Sequence, residues 1–209
     1  MKLLVLGATG PTGREIVSQA LAAGHEVTTL VRDRAKATLE HPHLTVVDGG
    51  DVAEDGAALA AMRGHAAVVS ALGRGRTFKS ANLMERSVPR IIDAMHANHV
   101  SRLIFVSALG VGDSFKISPL LPKLFFTTLL RDIYRDKLIG DRLIRSSGLQ
   151  WTIVQPVQLT DGPLTKAYRS GEHLELTGLP VISRADTAHF IVDRLSDPST
   201  FGRTIILAN

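Results

Sequence analysis

Residues 1–24, MKLLVLGATGPTGREIVSQALAAG, predict a strand, a glycine-rich turn and a helix in succession. Residues 2–6 form a short apolar run that is typical of a buried parallel strand. Apolar side chains then recur at helical spacing, at Ile16, Val17, Ala20 and Leu21. The intervening glycine-rich turn consists of Gly7, Ala8, Thr9, Gly10, Pro11, Thr12 and Gly13. A glycine turn with a strand before it and a helix after it is the context in which such turns bind nucleotide phosphates.

The three glycines of this turn have separate physical uses. Gly7 can adopt backbone angles that other residues avoid, Gly10 lets the main chain approach a ligand, and Gly13 lets the helix pack close to the strand. The first N–H groups of the helix have no partner within it and carry positive partial charge, so they suit a diphosphate. The alternative is a tight strand-to-helix turn that binds nothing.

The composition excludes several kinds of site. The chain has 209 residues, enough for one domain with a sizeable core; 44% of them are hydrophobic and 21% are charged. It contains no cysteine, which rules out a disulfide framework, a thiolate nucleophile and a cysteine-ligated metal. The histidines lack carboxylate companions at metal-ligand spacing, so we expect no metal site.

The charge and the hydropathy pattern indicate a small-molecule partner in a cytoplasmic setting. The net charge is +4, and the basic residues are scattered without a motif that reads nucleic acid. No apolar run reaches transmembrane length, and the apolar N-terminus is too short for a signal peptide. We therefore expect a monomer or homodimer that binds an acidic small molecule, with no nucleic-acid or membrane partner.

Strand-like and helix-like segments alternate along the rest of the chain. Strands are predicted at 26–31, 44–47, 66–72, 102–106, 151–155 and 204–207. Helices are predicted at 55–62, 82–98, 130–146 and 184–195, and Pro89 is expected to kink or restart the second of these near Glu85. The alternation predicts an α/β fold, a doubly wound parallel sheet with helices on both faces, as a single domain over residues 1–209. Ligands of such sheets bind at the carboxyl ends of the strands.

Two arginines follow the second predicted strand, where the ribose of a dinucleotide would be read. An arginine at this point suits the 2′-phosphate of NADP, whereas an acidic residue bonds the ribose hydroxyls of NAD. Arg32 and Arg34 therefore favour NADP(H). Asp33 is the competing candidate, although in an extended segment it should face away from the site that the arginines share.

Three further segments follow predicted strands or lie between them, and each has two interpretations. The fourth strand ends in small residues that would let a cofactor lie across the sheet or would serve any tight turn: Ala71, Leu72 and Gly73. The next loop is basic and either meets an acidic group or is solvated; it contains Arg74, Arg76 and Lys79. The apolar residues 120–130 would pack in the core or wall a pocket for a flat apolar substrate.

Tyr134, Lys137 and Asp141 are predicted to share one face of a helix. At about 100° per residue they fall within roughly 60° of one another. These three residues are therefore candidates for one shared site. The alternative for Tyr134 is an amphipathic side chain that packs the helix against a loop.

The sequence resembles the extended and atypical short-chain dehydrogenase/reductases, which hold NAD(P) on a Rossmann domain. The similarity rests on GATGPTG at residues 7–13, on residues 146–168 and on VISRADTAHFI at residues 181–191. The last two segments look like the NmrA-like branch that includes biliverdin reductase B (flavin reductase). The resemblance covers nearly the whole chain, and it implies a Rossmann-type sheet with NADP(H) and a substrate-side loop region at residues 156–183.

The resemblance also implies roles for residues at the strand ends. In this family a Gly-Asp-Val after the third strand contacts the adenine, which here is residues 50–52 and so implicates Asp51 and Val52. A serine at the position of Ser107 helps to hold the substrate oxygen, although serine is also a common way to leave a strand. Pro156 ends the strand that closes the nicotinamide side, and Gln155 replaces the arginine that commonly precedes that proline.

The tyrosine and lysine of the family are only partly matched. In short-chain dehydrogenases the tyrosine donates a proton and lies four residues before a lysine that binds the nicotinamide ribose. Here Tyr134 lies three residues before Lys137, so the lysine matches the family better than the tyrosine. The atypical branch often keeps the lysine, followed four residues later by an acidic residue, and Asp141 occupies that place.

The function that the resemblance implies is an NADPH-dependent oxidoreductase that passes hydride to a flat conjugated acceptor, such as a flavin or a biliverdin-like molecule. Ser107, Tyr134 and Lys137 are its candidate catalytic residues. One alternative is an NmrA-like regulatory protein that senses NADP(H) without turning it over. Another is a sugar-nucleotide-type epimerase or dehydratase, which would need the full tyrosine and lysine machinery.

Overall fold

The fold is built on an eight-stranded sheet in the order β3-β2-β1-β4-β5-β6-β10-β8. The structure is a computed structural model and describes residues 1–48, 51–53, 62–73, 81–115 and 130–209. The strands of this sheet are β1 (Lys2–Leu6), β2 (Glu26–Val31), β3 (Leu44–Asp48), β4 (Ala67–Ser70), β5 (Arg102–Val106), β6 (Gln150–Pro156), β8 (Arg169–Gly171) and β10 (Arg203–Ala208). Two further strands, β7 (Gln158–Thr160) and β9 (Val181–Ser183), pair with each other in parallel.

The direction of strand succession reverses between β1 and β4. The chain passes outward from β1 through β2 to β3, and then returns to β4 on the other side of β1. Leu3 of β1 pairs with Val27 of β2 and with Ala67 of β4, both in parallel. The carboxyl ends of β1 and β4 thus meet at the point where ligands of doubly wound sheets bind.

Helices cover both faces of the sheet within the described ranges. They are α1 (Pro11–Ala22), α2 (Leu83–Ala97), α3 (Arg131–Arg145) and α4 (Arg184–Asp193). On one face α1 packs against α4, and buried residues of both, including Ile16 and Ile191, join one core cluster with β1. On the other face α2 packs against α3, where Met84, Ile91 and Ile144 lie in a second cluster. The sheet lies between two hydrophobic cores, as alternating strands and helices predict.

The predicted doubly wound α/β sheet is confirmed, and most predicted element bounds differ from the observed ones by one or two residues. The expectation that Pro89 restarts a helix was wrong, because α2 runs without interruption from Leu83 to Ala97. A proline removes one backbone hydrogen bond, which a fifteen-residue helix with five buried side chains tolerates. Residues 55–61 of the helix predicted at 55–62 lie outside the described ranges.

The edge of the sheet departs from a purely parallel arrangement. β8 pairs with β10 in the antiparallel sense, with Leu207 opposite Ser170. The strands β7, β8 and β9 have three residues each and were not predicted, since so short a segment carries no readable periodicity. Within the described residues, no helix is long and apolar enough to span a membrane.

Candidate active site

The glycine-rich turn after β1 packs directly against the turn after β4. Gly7 has φ +78°, and a Cβ atom at this position would lie 2.5 Å from the carbonyl oxygen of Ala71. A Cβ on Gly13 would collide with the carbonyl oxygen of Gly7, so α1 can approach β1 only without a side chain there. Both glycines are required by close backbone contacts, in agreement with the sequence prediction.

Gly10, at the start of α1, is less crowded than Gly7 and Gly13. A Cβ there would meet only the Gly7 carbonyl oxygen, at 3.3 Å. Gly10 is the extended N-cap residue of α1 and makes no side-chain cap, while Pro11 occupies the first turn. The N–H groups of that turn therefore remain available, and the lack of a side chain at Gly10 leaves room for a diphosphate beside them.

Of the three charged residues after β2, Arg32 contacts another predicted site residue, whereas Asp33 and Arg34 bond the backbone. The Arg32 guanidinium is largely exposed and lies 3.4 Å from a carboxylate oxygen of Asp51, which follows β3. Arg34 instead donates to the carbonyl oxygen of Val46, at 2.9 Å. Asp33 accepts from the backbone N–H of Ala35 and thereby caps the short helical turn Arg34–Lys36.

A cavity of about 260 Å³ lies beside the turn Arg34–Lys36, between α1 and the outer strands β2 and β3. Thr9 of the glycine-rich turn lines it, together with two cationic side chains, Arg14 and Lys36. Sequence reasoning missed both of these cations. The available signal was the position of Lys36 four residues after Arg32, in the same basic segment.

The remaining predicted cofactor residues lie at the carboxyl edge of the sheet. Ala71, Leu72 and Gly73 follow β4 and are next to the glycine-rich turn, in agreement with their predicted position. Asp51 accepts from the N–H of Ala53 at 2.9 Å while it contacts Arg32. The side chain of Val52 is buried in the core. Pro156 is the last residue of β6 and is also buried.

A buried polar cluster joins the ends of β5 and β6 to α3. Ser107 Oγ donates to Asp141 Oδ2 at 3.2 Å, and Gln155 Nε2 donates to the same oxygen at 3.2 Å. Gln155 also donates to the carbonyl oxygen of Val111, at 3.1 Å. Asp141 Oδ1 and Gln155 Oε1 are buried and have no hydrogen-bond partner in the part of the chain that the structure describes. Buried polar atoms without partners are rare, and an acceptor pair at the reaction side of a sheet is suited to meet a ligand donor.

Burial raises the pKa of Asp141 to about 6, against the opposing effects of Ser107, Lys137 and Gln155. Burial also lowers the pKa of Lys137, while the carboxylates of Asp141 and Asp136 act in the opposite direction. Removal from water disfavours the charged form of each group. Lys137 and Asp141, which were predicted to share one face of this helix, interact through their charges, and Ser107 is hydrogen-bonded to Asp141.

A second cavity, of about 440 Å³, lies beside this cluster. Its described lining consists of Gly110, Val111, Gly112, Phe115, Arg131, Tyr134, Arg135 and Leu138. The lining is mainly apolar, and Val111 connects it to Gln155. Burial raises the pKa of Tyr134, which keeps its hydroxyl protonated. Tyr134 thus lines a cavity next to the polar cluster, as a residue that contacts an acceptor would.

The loop region at residues 156–183, which the resemblance predicts to lie on the substrate side, is fastened to α4 by Asp186. This buried carboxylate accepts from the N–H groups of Thr165 and Lys166, at 2.8 and 2.7 Å. It also accepts from the hydroxyls of Thr165 and Ser183. Ser183 in turn caps α4. Asp186 belongs to the motif that carried the family resemblance, but its structural role was not predicted.

Two sets of residues singled out in the sequence lie outside the described ranges. They are the basic loop with Arg74, Arg76 and Lys79, and residues 120–129 of the apolar segment. In the described part of the chain, no group of three or more histidine, aspartate or glutamate side chains is arranged to hold a metal ion.

A family model, curated proteins and solved structures are similar to this chain. The model of a family described as NAD(P)H-binding matches residues 7–198. Two curated relatives match 78% and 73% of the chain, and the chain spans 61% and 44% of their lengths. The second of them is the photosystem II assembly factor Ycf39 of Cyanophora paradoxa, 29% identical over 156 residues.

Two solved structures are similar over almost the whole chain. One is SP1627 of Streptococcus pneumoniae TIGR4, assigned as an NADH-flavin reductase, with 28% identity and a TM-score of 0.81 over 100% of this chain and 99% of its own. The other is ChuY of Escherichia coli O157:H7, an anaerobillin reductase, with 25% identity and a TM-score of 0.81 over 99% and 96%. Together with the glycine-rich turn and the doubly wound sheet, these matches show that the chain belongs to the NAD(P)H-binding family and has a Rossmann-type fold.

Proposed function

We propose that this protein is an NADPH-dependent reductase that transfers hydride to a flat conjugated acceptor. The observation that carries the proposal is the buried cluster of Ser107, Asp141 and Gln155. It lies at the carboxyl ends of β5 and β6, on the edge of the sheet where the glycine-rich turn is found, and it borders the mainly apolar cavity lined by Tyr134. A dinucleotide site next to a cavity of this kind suits hydride transfer to a planar molecule.

The residues present fit the cofactor. The backbone at Gly10 and the first turn of α1 would hold the diphosphate, and Arg32 would meet the 2′-phosphate. Lys137 would bind the nicotinamide ribose, and Ser107 would hold an oxygen or nitrogen of the acceptor. When bound, the dinucleotide supplies the hydride, while the protein supplies position and a pocket shielded from water.

Oxidation of the cofactor with a flavin present tests the proposal. We expect loss of NADPH absorbance when riboflavin or FMN is added, with NADPH used in preference to NADH. Ser107→Ala should slow this reaction without altering NADPH affinity, because Ser107 touches the acceptor rather than the diphosphate. Tight NADPH binding with no turnover of flavins, quinones or tetrapyrroles would overturn the proposal.

A regulatory protein that senses NADP(H) is the second candidate. It is favoured by the similarity to an assembly factor over 73% of the chain and by the three-residue spacing of Tyr134 and Lys137. This function predicts that NADPH binding changes the affinity for a partner protein and that no acceptor is reduced. The same spacing weighs against an epimerase or dehydratase, which needs the tyrosine as acid and base.

A further inference from the structure

Two arginines line the cavity of about 440 Å³ that is proposed to hold the acceptor, and neither has an ion-pair partner among the described residues. Arg131 and Arg135 line it together with Tyr134 and Leu138, as one face of α3. Both arginines are exposed, and within the described residues neither guanidinium makes a hydrogen bond or an ion pair. The described cavity lining therefore carries two positive charges and no carboxylate.

The position of these cations is unfavourable for the helix itself. Arg131 is the first residue of α3 and Arg135 lies one turn later, where the partial charge of the helix is positive. Like charges four residues apart on a helix also repel each other. An anion between the two guanidinium groups would relieve both effects.

The nearby carboxylates lie outside the described cavity lining, including Asp132, which follows Arg131 in the first turn of α3. Asp136 is buried on α3 and accepts from the N–H groups of Met84 and Glu85, at 3.0 to 3.1 Å, so it caps α2. Asp113, on the loop across the cavity, has an interaction of its own. The cavity thus combines an apolar interior with a cationic rim.

We propose that Arg131 and Arg135 recognise an acidic group on the acceptor, so that the preferred substrate joins a flat conjugated body to a phosphate or carboxylate. The conjugated body would fill the cavity between residues 110–115 and Tyr134, and the oxyanion would lie at its rim. Guanidinium groups match such oxyanions with paired donors. This inference deepens the proposed function and rests on it for the identification of the acceptor site.

Riboflavin and FMN form a matched pair of probes, since they share one ring system and differ by a phosphate. We expect the KM and the dissociation constant of the wild-type protein to be roughly tenfold lower for FMN than for riboflavin. The double variant Arg131→Gln/Arg135→Gln should lose this preference and keep its affinity for riboflavin. Arg142→Gln, an exposed arginine on the same helix outside the cavity lining, is the matched control and should keep the preference.

Flavin fluorescence titration gives the dissociation constants independently of turnover. Biliverdin and its dimethyl ester extend the comparison to a carboxylate, and the diacid should be preferred in the same arginine-dependent way. Equal affinities for acid and neutral forms in the wild-type protein, or equal losses for both in the double variant, would overturn the inference. Retained FMN preference without any NADPH oxidation would instead support the inference and overturn the proposed reduction.

Discussion

The hydroxyl of Ser107 lies 3.2 Å from Asp141 Oδ2, and this hydrogen bond joins the end of β5 to the middle of α3. Both residues are buried, and the second oxygen of Asp141 has no hydrogen-bond partner among the described residues. Burial makes this carboxyl group easier to protonate than one in water, and the hydrogen bond from Ser107 acts in the opposite direction. Ser107, the residue expected to touch the acceptor, is therefore hydrogen-bonded to a group that can hold a proton near neutral pH.

Asp141→Asn should remove a pH dependence of stability. Burial raises the pKa of Asp141 from 3.8 to about 6, so the folded protein holds a proton that the unfolded chain releases in this range. The favourable contribution is full below about pH 4 and is lost as the pH rises through about 6, by roughly 3 kcal/mol at most. Urea unfolding of both proteins from pH 4 to pH 8 measures it. A stability difference between the two that does not change with pH would contradict the raised pKa.

Gly10→Val and Gly13→Ala should separate binding from folding. The valine side chain of Gly10→Val would point into the space expected for the diphosphate. Gly10→Val should therefore keep its melting temperature and lose NADPH binding. The methyl group added in Gly13→Ala would collide with the Gly7 backbone, so the melting temperature of Gly13→Ala should be several degrees lower than that of the wild-type protein. Thermal melts and NADPH titrations test both. A Gly10→Val protein that titrates NADPH normally would show that the phosphate site is elsewhere.

Arg32→Ala should weaken NADPH binding by roughly tenfold and barely affect NADH. The exposed Arg32 guanidinium makes a single contact, with Asp51, and it could exchange this contact for one with a 2′-phosphate. Arg34→Ala should have a smaller effect, because Arg34 already donates to the Val46 carbonyl oxygen. Dissociation constants for both cofactors decide the matter. Equal losses for NADPH and NADH, or a wild-type preference for NADH, would transfer the ribose contact to Asp33.

Lys137→Ala should impair cofactor use more than Tyr134→Phe slows turnover. Lys137 is close enough to Asp141 for their charges to interact, whereas burial raises the pKa of Tyr134 and makes its hydroxyl a weak acid. General acid catalysis is worth about 10²–10⁴-fold in rate. Steady-state kinetics with NADPH and a flavin compare the two variants. A loss in that range for Tyr134→Phe, at unchanged NADPH affinity, would make the tyrosine the proton donor.

Asp186→Ala should destabilise the protein by roughly 3 kcal/mol, because it removes the buried carboxylate that accepts from the N–H groups of Thr165 and Lys166. Asp193→Ala, at the exposed end of the same helix, is the matched control and should cost less than about 0.5 kcal/mol. Urea unfolding gives both values. Similar effects for the two variants would mean that Asp186 does not fasten the loop at residues 165–166.

The sequence by itself determined the elements whose signals lie within a few neighbouring residues. The glycine-rich turn could be placed because a strand, three glycines and an amphipathic helix follow one another directly, and Gly7 and Gly13 are both in close backbone contact in the structure. The doubly wound sheet followed from the alternation of apolar strands and helices for the same reason. The segment after β2 was expected to be extended, but Asp33 caps a helical turn at Arg34–Lys36, and Arg34 bonds the Val46 carbonyl oxygen instead of sharing a site with Arg32.

Only the tertiary structure decided which distant side chains meet. Gln155 was noticed as a replacement for arginine, but its bond to Asp141 depends on how β6 packs beside α3. Asp136 caps a helix that begins 52 residues earlier, and Asp186 holds a loop about 20 residues before it. No local period encodes such pairs, because they form when the sheet brings separate elements to one edge. The polar cluster around Asp141 and the neighbouring cavity lined by Arg131 and Arg135 are therefore properties of the fold and not of any single segment.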